Sequence, residues 1–367
     1  MTWYSFSVAP QIPRARNASV GCEVRILPSS WAHRHLWRSF YLPRPAWRWR
    51  RAYPVYAAVA SYLSLASLPF VRILLRNRPD VLLVQEYSTG RFDVLLLLSR
   101  AMRVPLIAYH AGSSPERYVG RLLKRWTIPR ADLLMVSSQQ ELDLLARRYG
   151  VSRDRVRVVL TPIDTALFRP RERALACRET GLDAARRYLL FVGRLDDRIK
   201  RVSALIRAFA LVAGEHPDVD LLVVGDGPDA YELRRLAGAC APGRVRFLGW
   251  LAEAPSLARV YSAAECVVLP SQSEGFPAVV GEALACGTPV VASRVGGVGE
   301  LVLDGETGWL IAPGDEQGLT TRLSFVLANP EVVESIRPRA RSLAESRLSP
   351  AVVAAELREC FQLATRP

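Results

Sequence analysis

Lysine is nearly absent from this chain: Lys124 and Lys200 are the only lysines among 49 basic residues. The bias towards arginine is chain-wide rather than local. Paired cysteines are lacking too. The six cysteines, at positions 22, 177, 240, 266, 286 and 360, form no C-x-x-C pair and keep no zinc-like spacing to histidine. That argues against a metal site and for buried thiols in a reducing compartment. No short apolar stretch with a small-residue cleavage site opens the sequence, so the cytoplasm is expected rather than secretion. Internal repeats and low-complexity segments are also missing.

What is there suits a folded protein of more than one domain. Half of the 367 residues are hydrophobic and 23% are charged, enough apolar surface for packed cores. Chains of this length usually divide into units of about 150–200 residues with a cleft between them. The net charge of +14 is unevenly placed: residues 1–170 carry 26 Lys and Arg against 10 Asp and Glu, whereas residues 171–367 carry 23 against 25. An anionic partner is expected for the first half, be it phospholipid, nucleic acid or a phosphorylated substrate.

Both halves alternate apolar runs with helical stretches. In the first, "PDVLLVQEY", "VPLIAYH", "ADLLMVSS" and "VRVVLTPID" read as strands; in the second, "RRYLLFV", "VDLLVV", "VRFLGWL" and "ECVVLPS" do. Continuous apolar runs bounded by turn residues suit parallel strands covered on both faces. Strands separated by 10–15-residue helices imply parallel sheets with right-handed crossovers. The expected organisation is a Rossmann-like domain over 1–170, a second over 171–349, and a terminal helix over 350–367 opened by Pro350, since proline suits the first helical turn.

Ligands of open α/β sheets bind beyond the carboxyl ends of the strands. After "YLLFV" come Gly193, Arg194 and, six residues on, Lys200. A glycine that admits a ligand close to the backbone, followed by two cations, suits a diphosphate; a strand-to-helix turn with solvated basic residues fits the same letters. After "VDLLVV" come Gly225 and Gly227, a tight turn without the third glycine of a dinucleotide fingerprint. The segment "PSQSEGFPAVVGEALACGTPVVAS" places Glu274 in a loop, Gly275-Phe276-Pro277 at a turn, and Glu282 within the following helix. Two such carboxylates could accept hydrogen bonds from a sugar and a ribose, or be a helix-capping and a surface glutamate.

These pieces occur in order with "VGRL", "VVGDGP", "VRFLGWL" and "GGVGELVLDGETGWLIAPGD". The ordered set resembles the retaining glycosyltransferases of the GT-B fold, of the family 4 (glycosyl transferases group 1) type. The resemblance implies two doubly wound Rossmann-like domains facing across a cleft, with the C-terminal helix packing back on the first. It implies a bacterial enzyme that moves a sugar from a nucleoside diphosphate sugar, such as a UDP- or GDP-sugar, to a saccharide or lipid-linked acceptor. Retention at the anomeric carbon is implied, with neither metal nor cofactor. Residue by residue, Arg194 and Lys200 resemble the pair on the donor diphosphate, with Gly193 and Gly225 in the turns around it. Glu282 resembles the ribose-binding glutamate, and Glu274 the one facing the donor sugar, beside Gly275, Phe276 and Pro277. Phe247 to Leu251, with Leu248 and Gly249, resembles the segment lining the base. His110 resembles the histidine whose ring or backbone approaches donor sugar and acceptor. Arg201 stands where glycine is frequent, and Lys200 rather than Arg198 is taken as the family's lysine.

One departure lies at the start. Only twenty residues precede "GCEVRILP", and no glycine precedes Gly21, so the family's first strand and glycine-rich loop are expected to be missing. A protein that binds nucleotide sugar without turnover is the alternative this raises. The Arg- and Trp-rich stretch from His33 to Tyr53, with Trp37, Trp47 and Trp49, suits peripheral attachment to an anionic membrane at its inner face. Residues 52–71 carry no charge, but Pro54, Pro69 and several hydroxyl groups argue against a span. Nucleic-acid binding is not expected, since no nucleic-acid fold is recognisable.

Overall fold

The computed structural model describes residues 2–7, 23–28, 68–112 and 121–365. Among the described residues there are three parallel sheets. Strands β1 (Thr2–Ser7) and β2 (Glu23–Pro28) pair in register from Thr2 opposite Glu23 to Ser7 opposite Pro28. This corrects the expectation of a missing first strand. Fifteen residues separate the two, enough for a parallel crossover, and Thr2–Ser7 mixes three aromatic residues with Thr and Ser instead of forming an aliphatic run. The expected glycine-rich loop falls in residues 8–22, outside the described residues, as does the Arg- and Trp-rich stretch.

The second sheet contains β3 (Leu82–Gln85), β4 (Leu106–His110), β5 (Leu133–Val136) and β6 (Val156–Val158), in that spatial order. Helices cover both faces. On one, Phe92 and Leu96 of helix Gly90–Met102 and Leu142 and Leu145 of helix Gln139–Tyr149 meet Val84, Leu106, Leu134 and Val136. The second of these helices is closed at both ends, by Ser138 accepting from the Glu141 amide and by Gly150 in the left-handed conformation, the two commonest terminal devices. On the other face, Val353 and Cys360 of helix Pro350–Ala364 pack with Ile107, Leu133 and Met135. The C-terminal helix therefore returns to the first half, as the sequence implies.

The third sheet is larger: β7 (Arg187–Val192), β8 (Val219–Val224), β9 (Val245–Gly249), β10 (Cys266–Leu269), β11 (Val290–Ser293) and β12 (Gly308–Ile311), in the order β12-β11-β10-β7-β8-β9. Its central strands are buried along their whole length, which explains why they read as apolar runs, broken in β8 by Asp220, whose charge Arg186 and Arg244 answer. The strand order reverses between β7 and β10, the place where open α/β sheets leave a crevice for a ligand.

Candidate active site

Two loops leave the carboxyl ends of the strands at that reversal. The loop after β7 runs Gly193-Arg194-Leu195 into the short helix Asp197–Lys200. The loop after β10 holds Ser271 to Pro277 and feeds helix Ala278–Ala285. They meet at an ion pair: Lys200 Nζ lies 2.6 Å from Glu274 Oε1, which also accepts from Ser271 Oγ at 2.5 Å. Both donors reach the same carboxylate oxygen. Glu274 is 8% exposed and Lys200 20%, so the pair is largely withdrawn from water and geometrically fixed. Arg198 points away, 78% exposed beside Asp196. Arg194 is exposed, and no ion pair or hydrogen bond engages its guanidinium among the described residues. Arg201 sits at φ 50°, in the left-handed region where glycine is at ease, and separates Asp197–Lys200 from helix Val202–Ala213.

Glycines let these loops close on one another. A Cβ at Gly225 would lie 1.9 Å from the Gly193 carbonyl oxygen, and one at Gly227 2.4 Å from that of Leu195. The tightness of the Gly225–Gly227 turn is thus packing against the loop after β7, joined by Gly193 N–H to Val224 O and Leu195 N–H to Asp226 O. Gly249, at the end of β9, accepts from the Gly225 amide at 2.8 Å and places Leu248 beside the same turn.

Glu282 lies just over one turn into helix Ala278–Ala285. Tyr261, fully buried, donates to Glu282 Oε2 at 2.8 Å. Burial pushes the Glu282 carboxyl above its ordinary range, and the Tyr261 hydroxyl offsets this in part by favouring the anion. An acid raised in the folded state contributes stability that is present at low pH and lost as pH rises through its folded value. The Glu282→Gln variant is therefore expected to gain melting temperature over the wild type as pH rises from 4 to 8, by a few degrees. Paired thermal melts across that range check it, and a constant difference would contradict it.

The first half brings its own cluster to this cleft. His110 is fully buried: its Nδ1 lies 2.7 Å from Glu86 Oε2, its Nε2 lies 3.7 Å from Glu141 Oε1, and its ring lies 4.5 Å from that of Tyr87, tilted by 41°. The Tyr87 hydroxyl in turn donates to Glu141. Of the two ways in which His110 is expected to approach the donor sugar, by its ring or by its backbone, the ring faces carboxylates with both nitrogens and has no atom open to solvent. It is the backbone after His110 that reaches across: Gly112, at φ 80°, abuts Gly275, and a Cβ at Gly275 would lie 2.1 Å from Ala111 O. Gly297 N–H donates to Gly275 O at 2.8 Å, so Gly275 is clamped on both sides, with Phe276 beside it. A second cross-link joins the Gln139 amide to Glu300 Oε1 at 2.7 Å.

Glu86, Glu141 and Tyr261 carry no motif, and the sequence alone does not single them out. Glu86 has one structural mark, a left-handed φ of 71°. Its carboxyl is pushed up by burial but held below its ordinary range by the hydrogen bond and charge of His110 and by the Ala111 amide. Lys124, the other lysine, is fully buried and fixes the loop after β3 through Tyr87 O, Thr89 O and Asp93. Among the described residues no group of His, Cys, Asp and Glu could hold a metal ion.

Comparison with known proteins matches residues 186–329 to the family described as glycosyl transferases group 1, and residues 15–167 to glycosyltransferase family 4. D-inositol 3-phosphate glycosyltransferase of Rhodococcus jostii (strain RHA1) is 35% identical over 246 residues, 64% of this chain and 53% of that protein. The protein of the same name from Mycolicibacterium gilvum (strain PYR-GCK) is 37% identical over 225 residues, 59% of this chain and 49% of that one. The chain spans about half the length of these curated relatives. Among solved structures, HepE of Anabaena in complex with UDP superposes with a TM-score of 0.73 at 21% identity, over 93% of this chain and 86% of that one. Sucrose-phosphate synthase of Thermosynechococcus elongatus does so with a TM-score of 0.75 at 24% identity, over 98% and 88%.

Proposed function

This chain belongs to the group 1, family 4 glycosyltransferases of GT-B fold, and we propose from that premise that it transfers a sugar from a nucleoside diphosphate sugar to an acceptor hydroxyl with retention at the anomeric carbon. The observation that carries the reading is the Lys200–Glu274 contact of 2.6 Å at the strand-order reversal. A cation suited to a diphosphate and a carboxylate suited to a sugar hydroxyl meet where the sugar–phosphate bond of such a donor would lie. Arg194 and Lys200 take the charge of the departing diphosphate without a metal. Glu274 binds the sugar through Oε2, which neither Lys200 nor Ser271 engages. Glu282 accepts from the ribose, and Leu248 and Gly249 border the base. His110 acts by positioning the Ala111–Gly112 backbone against Gly275. No side chain is assigned as a covalent nucleophile.

A UDP complex of HepE supports a nucleotide donor, and the inositol phosphate acceptor in the relatives' name supports a hydroxyl acceptor carrying negative charge. Product analysis tests the reading: the sugar should appear on the acceptor in the donor's anomeric configuration, at a rate that EDTA leaves unchanged. Inversion, or activity abolished by EDTA and restored by magnesium, would overturn the corresponding part. Donor binding without turnover would instead identify a binding protein.

We further propose that the first half works against an anionic membrane, where a lipid-linked acceptor resides. Helix Arg121–Thr127 exposes Leu122, Leu123 and Trp126, with Arg130 stacked at 4.2 Å on Trp126, the pairing of apolar and basic groups that favours an anionic interface. Among the described residues no helix is long and apolar enough to cross a membrane. Flotation with liposomes containing phosphatidylglycerol is expected, with release at high salt. Retention after carbonate washing would point to insertion, and no flotation under any condition would sink the proposal.

A further inference from the structure

The amino ends of the third sheet's strands, away from the donor cleft, border a cavity of about 430 Å³. It lies where helices Ala254–Ala263 and Ala278–Ala285 end and β10 and β11 begin, lined by Ser262 and Cys286 on that side. Glu274 follows the opposite ends of those strands, on the order of 13 Å away along a four-residue strand. Four arginines face the cavity: Arg171 from the segment linking the two halves, Arg173 at the start of helix Arg173–Thr180, and Arg337 and Arg341 from helix Pro330–Leu348.

The four are not equivalent. Arg337 and Arg341 are committed to structure. Arg341 donates to Phe168 O, Ala285 O and Thr165 O, and Arg337 to Ala264 O, so both cap helix ends and bind the linking segment to its neighbours. Their charges are also answered, by Glu345 at 2.6 Å and Glu334 at 2.9 Å. Arg171 and Arg173 also donate to carbonyls, Arg171 to Leu167 O at 3.3 Å and Arg173 to Ala184 O at 3.0 Å and to Arg186 O, but no carboxylate answers the charge of either. Among the described residues neither has an ion pair, and the Nε of each is buried without a hydrogen-bond partner. Glu172 also lines the cavity, and no ion pair joins it to either arginine. Buried donors are almost always satisfied, and a guanidinium left so is suited to a planar or tetrahedral oxyanion.

We propose that this cavity is a binding site for a phosphorylated small molecule, whose phosphate groups sit against Arg171 and Arg173. Its volume falls within the range of small-molecule sites. A ligand here bridges Arg171 and Arg173 to helix Pro330–Leu348, whose Leu348 carbonyl already holds the Ile163 amide at 2.8 Å. It would tie the connection between the two halves without touching the donor.

Inorganic pyrophosphate is the probe, because it carries the chemistry without a base or sugar. Hydrogen exchange of the wild-type chain with millimolar pyrophosphate is expected to slow in residues 165–173 and 330–341. Calorimetric titration in the Lys200→Ala background removes a donor-site contribution. There, replacing Arg171 and Arg173 by Gln is expected to weaken pyrophosphate binding at least about tenfold, the loss of charge-assisted hydrogen bonds. Protection confined to residues 193–200 and 271–282, or no protection anywhere, would overturn the proposal, and so would a folded double variant that binds pyrophosphate as the Lys200→Ala chain does. If the double variant does not fold, the exchange experiment on the wild type decides alone.

Discussion

Replacing Lys200 by alanine is expected to lower kcat by about 10²- to 10³-fold while KM moves by at most about tenfold, the loss found when one preorganised group is withdrawn from charge that grows in the transition state. As the bond from the anomeric carbon to the diphosphate opens, negative charge accumulates on the departing oxygen. An ammonium held at 2.6 Å from Glu274 and 20% exposed meets that charge without reorganising. The same substitution leaves Glu274 with only Ser271 as a partner, so a modest fall in melting temperature accompanies the loss. Circular dichroism and a melt of the variant separate the two effects. A folded variant retaining kcat within about threefold of the wild type would remove Lys200 from the reaction.

The second large effect belongs to Gly275→Ala. The added methyl would lie 2.1 Å from Ala111 O, well inside van der Waals contact. On the other side the Gly275 carbonyl is held by the Gly297 amide, and a Cβ at Gly296 would meet Glu274 O at 2.1 Å. The loop cannot retreat without dragging Glu274 with it. Overpacking of this kind costs about 1–3 kcal/mol, and a shift of about 1 Å at a reacting group can cost 10²-fold in rate. Activity is expected to fall about 100-fold while the second and third sheets stay folded. Gly299→Ala, whose Cβ would meet nothing within 4 Å, is the control and should leave activity unchanged. Equal activity of the two variants would show that the Ala111–Gly275 contact has no part in placing Glu274.

The contrast between these residues shows what a sequence can carry. Glu274, Glu282 and Lys200 were legible because each follows a buried parallel strand in a fixed order of short segments, and order along the chain survives in letters. The apolar runs of β8, β10 and β11 were legible for the same reason, since strands covered on both faces need no alternation. Thr2–Ser7 was not, because three of its six residues are Thr or Ser and it holds no aliphatic residue, so only pairing with Glu23–Pro28 identifies it as a strand. His110 was legible as a position but not as an environment: its burial depends on Glu86, 24 residues earlier, and Glu141, 31 residues later. The glycines of "VVGDGP" read as a tight turn without naming what the chain lies against, and their neighbour is the backbone of Gly193 and Leu195. Close approach of two loops and close approach of a ligand leave the same mark in a sequence.

Calorimetric titration of the chain with UDP-, GDP- and ADP-sugars, repeated on Glu282→Ala, tests the central claim most directly. Glu282 is the carboxylate assigned to the ribose common to all three donors, held by Tyr261 at 2.8 Å. One donor of the panel is expected to bind, and the variant is expected to bind it roughly 10- to 100-fold more weakly, as for one or two lost hydrogen bonds to a charged group. If no nucleotide sugar binds, or if the folded variant binds as tightly as the wild type, the cleft between the loops after β7 and β10 is not a donor site.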